Sequence, residues 1–133
     1  AHSIEEVEKF MGTESVVAEW KYDGVRCQAH FDGKKVTLFS RNLIDNTTQY
    51  PDAVRFLLEA KKDGVQSFIC DAEIVAVIPS TDGHRLLPFQ DLTARRAAGD
   101  SAVATRIYCY DLMYLNGRTL LEEPLWKRQE LLH

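Results

Sequence analysis

Residues 66–78 constrain the fold more than any other part of this 133-residue chain. Phe68, Ile69, Ile74, Val75, Val77 and Ile78 stand in a nearly continuous apolar run rich in β-branched side chains. Such a run predicts a strand covered on both faces, which needs neighbours at its edges and layers above and below. Asp71 and Glu73 interrupt it. An ionised carboxylate in an apolar strand is costly unless it meets a cation or a polar cleft, so Glu73 is a candidate for function and Asp71, on the same face, for its support.

The rest of the chain offers those neighbours. Residues 15–22, 25–31 and 35–40 read as strands, the last two joined across Asp32-Gly33, the signature of a type I′ hairpin. In 25–31, Val25, Cys27, Ala29 and Phe31 share one face and Arg26, Gln28 and His30 the other, so one face packs and the other meets something polar. After a turn over 79–83, residues 84–88 form a return strand, and 105–115 another that turns at Asn116-Gly117. Residues 89–101 are a polar connection with one helical turn. Helices are predicted over 3–11, opened by the capping box Ser3-x-x-Glu6 and stopped by Gly12, and over 51–62, opened by Pro51 and followed by Gly64. A third starts with Pro124 as its first residue and carries Leu125, Leu131 and Leu132. Strands with few helices and no regular βαβ alternation make this an α+β chain of mostly antiparallel sheets flanked by helices.

Composition narrows the classes. With 45% apolar and 27% charged residues the chain is of globular type, neither disordered nor collagen-like. Three widely spaced cysteines without a C-x-x-C pair argue against a disulfide framework or a cysteine zinc site, and the four histidines show no metal-ligand spacing. The net charge of −4 does not advertise a nucleic-acid binder, so phosphate chemistry would have to be local. No stretch approaches 18 uninterrupted apolar residues and the first residues lack a signal-peptide pattern, so neither membrane nor export is expected.

The sharpest local feature is Lys21-Tyr22-Asp23-Gly24-Val25-Arg26, in which a lysine leaves one predicted strand and an arginine enters the next across a glycine bend. Four fixed identities at this spacing arise by chance on the order of once in a thousand chains of this size. A lysine attacks as the free amine, a form favoured by desolvation or by neighbouring cations such as Arg26 and Arg41.

This string resembles motif I of the covalent nucleotidyltransferases, the ATP-dependent DNA ligases, RNA ligases and mRNA capping enzymes. Further pieces follow in the family's order: Ser40-Arg41-Asn42 resembles motif Ia, residues 68–73 motif III and residues 108–112 motif IIIa. The wider wording is more similar to the eukaryotic DNA ligase I branch than to the capping or RNA ligase branches. The resemblance implies the N-terminal half of an adenylation domain with an ATP-grasp-like fold, spanning 1–133.

It also implies roles. Lys21 would attack the α-phosphate of ATP, and the AMP would pass to the 5′-phosphate of nicked duplex DNA in replication and repair. Arg26 would lie near the ribose and nick phosphate, Arg41 on phosphate, and Glu19 by the adenine amino group. Glu73 would bind the ribose and lie near Mg²⁺. Tyr110 would stack on adenine, a position where ligases of this group often carry Phe. Motifs IV to VI, an OB-fold domain and a DNA-binding domain would lie outside this chain, as would any sliding-clamp contact of its parent. The expected compartment is the nucleus, and a fragment of this kind is expected to be weak or inactive in ligation. It is also expected to expose an apolar face and an unpaired sheet edge, and so to self-associate. The alternatives are a capping guanylyltransferase, which uses the same lysine chemistry with GTP, and a nucleotide-binding scaffold without covalent transfer.

Overall fold

The computed structural model describes residues 3–12, 16–80, 83–92 and 103–133. Its elements are helix α1 (Ile4–Met11), strands β1 (Val25–Phe31) and β2 (Val36–Ser40), a 3-10 turn (Thr47–Gln49), helix α2 (Pro51–Ala60), strands β3 (Phe68–Ser80), β4 (Gly83–Leu86), β5 (Ala104–Leu115) and β6 (Arg118–Thr119), and helix α3 (Leu125–Leu132). A helical turn also covers residues 89–92. Among the described residues no helix is long and apolar enough to cross a membrane.

All strands join one antiparallel sheet in the order β2-β1-β3-β5-β6, with β4 pairing the far end of β3. The apolar run is thus the central strand, flanked by β1 on one edge and β5 on the other. One face of the sheet carries the core: Cys27, Ala29 and Phe31 of β1, and Cys70, Ala72 and Ile74 of β3, are all buried. Helix α2 lies against this face through Ala53 and Leu57. Each large apolar side chain so buried contributes roughly 1.5–3 kcal/mol. The opposite face bears Arg26, Gln28 and His30 of β1 beside Glu73, Asp71 and Ile69 of β3, in that register.

Helix α1 begins as the capping box requires, with the Ser3 hydroxyl accepting from the Glu6 N–H at 3.3 Å, and it ends at Gly12. Pro51 opens α2, where its missing N–H costs nothing.

Four expectations need correction. Residues 16–22 form no strand. Both edges of β1 are occupied by β2 and β3, so the segment before it cannot pair with β1 and crosses the polar face instead. The β1–β2 hairpin exists, but its loop is 32–35 and only Gly33 has positive φ, at 95°. The Asp32 carboxylate accepts from the N–H groups of Lys34 and Lys35 at 2.9 Å each, which builds the turn without left-handed backbone at Asp32. The type I′ pattern appears at Asn116-Gly117, with φ 47° and 89° between the paired residues Leu115 and Arg118. Pro124 is extended, with ψ 152°, and caps α3 from outside. Strand β3 also runs through Pro79 to Ser80, so the predicted turn shrinks to its tip, which, like most of the connection over 93–102, lies outside the described residues.

Candidate active site

Strand β3 brings Glu73 to the middle of the polar face, and the segment 16–24 passes over it. Gly24 sets how close that passage is. A Cβ there would stand 2.2 Å from the Ile74 carbonyl oxygen and 2.8 Å from Val75 Cγ1, so only glycine fits. The same passage sets the Gly24 N–H near the Glu73 carboxylate, where it favours the charged form. Asp23 ties the same bend to the helical turn, its Oδ2 accepting from the Phe89 N–H at 3.2 Å. Tyr22 stacks on Tyr108 of β5 with ring centroids 4.1 Å apart and planes 13° from parallel.

These anchors leave a cleft of about 390 Å³ lined by Glu19, Trp20, Lys21, Tyr22, Glu73 and Tyr110. Four of the six residues singled out in the sequence, Glu19, Lys21, Glu73 and Tyr110, therefore meet around one space. Arg26 borders it: paired with Glu73 in the β1–β3 register, it donates from its guanidinium to Asp71 Oδ2 at 2.5 Å and lies near the Tyr110 phenol. Arg41 follows β2, exposed, and does not line the cleft.

The electrostatics follow from this packing. Burial pushes the Glu73 carboxyl above its ordinary value, while Lys21, the Gly24 N–H and Arg26 pull it back. Asp71 holds the Arg26 guanidinium still more firmly in its charged form. Burial also raises the Tyr110 phenol, with Asp71 and Glu73 adding to the rise and Arg26 opposing it.

Tyr110 reaches the cleft by a device that strict alternation would miss. The β3–β5 register slips between Asp71 and Ala72 and again between Ile69 and Cys70, so Tyr110 and Met113 are extra residues without partners on β3. Both touch side chains of β1 across the polar face, Tyr110 at Arg26 and Met113 at Gln28. Leu112 shares the parity of Tyr108, Tyr110 and Tyr114, yet it is buried in the core.

Other residues of the site carried weaker signals. Tyr22 and Tyr108 sit inside recognisable strings, but nothing in the sequence pairs them. Gln129 of α3 donates to Glu19 Oε1 from 110 positions away, with no local signal at all. As to metals, no group of three or more His, Cys, Asp or Glu side chains among the described residues is arranged to hold an ion. Glu73 offers one carboxylate in the cleft, and Asp71 Oδ1 is buried with no hydrogen-bond partner. That donor set suits an ion that keeps most of its ligands as water and phosphate oxygens, the habit of Mg²⁺, better than one requiring a protein cage.

Solved structures share this architecture. Mycobacterial DNA ligase D complexed with ATP and MES superposes with a TM-score of 0.69 at 26% identity, covering 86% of this chain and 34% of that one. The ligase domain of LigD from M. tuberculosis gives 0.66 at 28% identity, with the same coverage. The fold is thus that of the nucleotidyltransferase domain of DNA ligases. All of residues 1–133 match the family model described as ATP dependent DNA ligase domain, and the chain belongs to that family. It is 43% identical to DNA ligase 2 of Thermofilum pendens over 87% of its length and 37% identical to DNA ligase 1 of Drosophila melanogaster over 97%. It spans about a fifth of the length of these curated relatives, 19% and 18% respectively.

Proposed function

We propose that this chain carries the nucleotide-accepting site of an ATP-dependent DNA ligase, with Lys21 as nucleophile. The observation that supports this most directly is the meeting of Lys21, Glu19, Glu73 and Tyr110 around one cleft, held there by the close approach of Gly24 to β3. In the proposed step the Lys21 amine attacks the α-phosphorus of ATP. An N–P bond forms, the bond from that phosphorus to the bridging oxygen breaks, pyrophosphate leaves and the amine proton passes to water. Such a displacement rests on positioning and on stabilising spread negative charge. Tyr110 offers a flat ring for the adenine, Glu19 an acceptor for its amino group, and Glu73 an acceptor for ribose hydroxyls. Arg26, oriented by Asp71, presents a planar fork suited to phosphate or ribose oxygens.

Glu73 is also the residue that would hold Mg²⁺, which when bound neutralises phosphate charge. Arg41, exposed beyond the cleft, is assigned to a phosphate farther along the ligand. Nicked duplex DNA is the proposed acceptor of the AMP, in replication and repair, and a sliding-clamp contact would use residues outside this chain.

The test is intact mass after incubation with Mg²⁺ and either ATP or GTP, on this chain and on a longer ligase chain carrying it, each beside Lys21→Ala. An acid-labile AMP adduct, absent in the variant and absent with GTP, is the expected result. A GMP adduct would point to capping chemistry, and an adduct that survives Lys21→Ala would overturn the assignment of the nucleophile.

A further inference from the structure

We infer that Tyr108 is a positioning residue for Lys21, acting through Tyr22; this rests on the reading of Lys21 as nucleophile. Segment 16–22 makes no strand pairing, and its side chains before Tyr22 are exposed, Trp20 at 87%. Lys21 therefore inherits its place from what holds its neighbours. On its C-terminal side that is the Tyr22–Tyr108 stack, at 4.1 Å between centroids. Consecutive Cα atoms are about 3.8 Å apart, so a fixed Tyr22 leaves the Lys21 backbone little freedom.

Tyr108 is well placed for this work. It lies opposite Glu73 in the β3–β5 register, so the rung of the sheet that presents the carboxylate also presents the ring that holds the lysine segment. The stack thus fixes Lys21 relative to Glu73, whose carboxylate feels the Lys21 charge. Both rings are half-buried on the polar face, apart from the core cluster. A near-parallel pair at this distance holds its partners by contact area and ring electrostatics, which a phenylalanine would retain and an aliphatic side chain would lose.

Two measurements on Tyr108→Leu, Tyr108→Phe and Tyr22→Leu test the inference. The first is the set of backbone order parameters of residues 16–24 from 15N relaxation. These should fall in both leucine variants, with β1 and β2 unchanged, and hold in Tyr108→Phe. The second is the rate of lysyl-AMP formation against ATP concentration, in the longest ligase chain carrying these residues. The rate at saturating ATP should fall roughly 10- to 100-fold in Tyr108→Leu, with a smaller change in half-saturation, since Glu19 keeps its tether to Gln129 while Lys21 loses its anchor at Tyr22. Tyr108→Phe should stay within about twofold of the parent rate. The double variant Tyr22→Leu/Tyr108→Leu should lose no more than either single change, because both act through one contact.

Unchanged order parameters over 16–24 in Tyr108→Leu would overturn the inference. So would a loss confined to half-saturation, or an equal loss in Tyr108→Phe. Should Tyr108→Leu disrupt β5, Tyr22→Leu, on the unpaired segment, decides the matter in both measurements. A parent that forms no adduct while the order parameters respond as expected would overturn the reading of Lys21 and leave the anchoring established.

Discussion

A methyl group at position 24 would meet the backbone of the central strand, which cannot yield as a flexible side chain could. Gly24→Ala should therefore destabilise the chain by about 1–3 kcal/mol in urea denaturation, the usual cost of overpacking. His30 supports a prediction about pH. Burial holds its imidazole below the ordinary value of 6.5; it stands edge-on to Phe39 and 2.7 Å from Gln28 Oε1. The unfolded chain then binds a proton more readily than the folded one, so the His30 contribution is fully present above that value and is lost as pH falls below it. Urea midpoints should drop between pH 7 and pH 5 more steeply in the parent than in His30→Gln; parallel profiles would refute this. Lys21 and Glu73 were legible as candidates because reactive or costly side chains stand out in short strings, whereas Tyr110 was named only by the resemblance to motif IIIa; all three line the cleft. Arg41 was equally visible, but its string could not tell that the residue stands exposed outside the cleft lining. The need for glycine at 24 was also hidden, since it depends on Ile74 and Val75 fifty residues on.

The turn after β5 shows how a whole element can depend on one side chain. Asn116 takes positive φ, accepts from the N–H groups of Gln66 and Ser67 through Oδ1, and donates to the Gly64 carbonyl. It thereby ties the β5–β6 hairpin to the entry of β3. Asn116→Ala should cost roughly 1–3 kcal/mol, from lost hydrogen bonds and left-handed strain together, and an unchanged urea midpoint would contradict that. Strand β5 marks the limit of pattern reading among the elements. Its existence and bounds follow from composition, but its core positions Cys109, Leu112 and Leu115 are spaced by three where each extra residue enters. A period of two cannot find them. Segment 16–22 failed for another reason, because β-rich wording says nothing about whether a sheet edge is free.

At the scale of the molecule, the accessible surface is 9491 Å². A compact chain of this mass would expose roughly 7,100 Å². Part of the excess is apolar: Ile4, Phe10 and Trp126 are 75%, 82% and 64% exposed, and no residue of α1 is buried. Helical spacing revealed α1 itself, but no periodicity reveals what covers an apolar stripe. Sedimentation velocity should show self-association that grows with concentration and weakens in Ile4→Glu/Phe10→Glu. A monomer at every concentration would count against it. The cleft also has a consequence in time. Its wall at Tyr110 comes from a strand made long after Lys21, and its rim at Gln129 later still. At ribosomal speeds the nascent chain carries Lys21 for roughly 5–20 s before Tyr110 is added. Until β5 emerges and pairs with β3, the cleft beside Lys21 lacks its wall at Tyr110, so a nascent chain that has already exposed the lysine still has not enclosed the space around it.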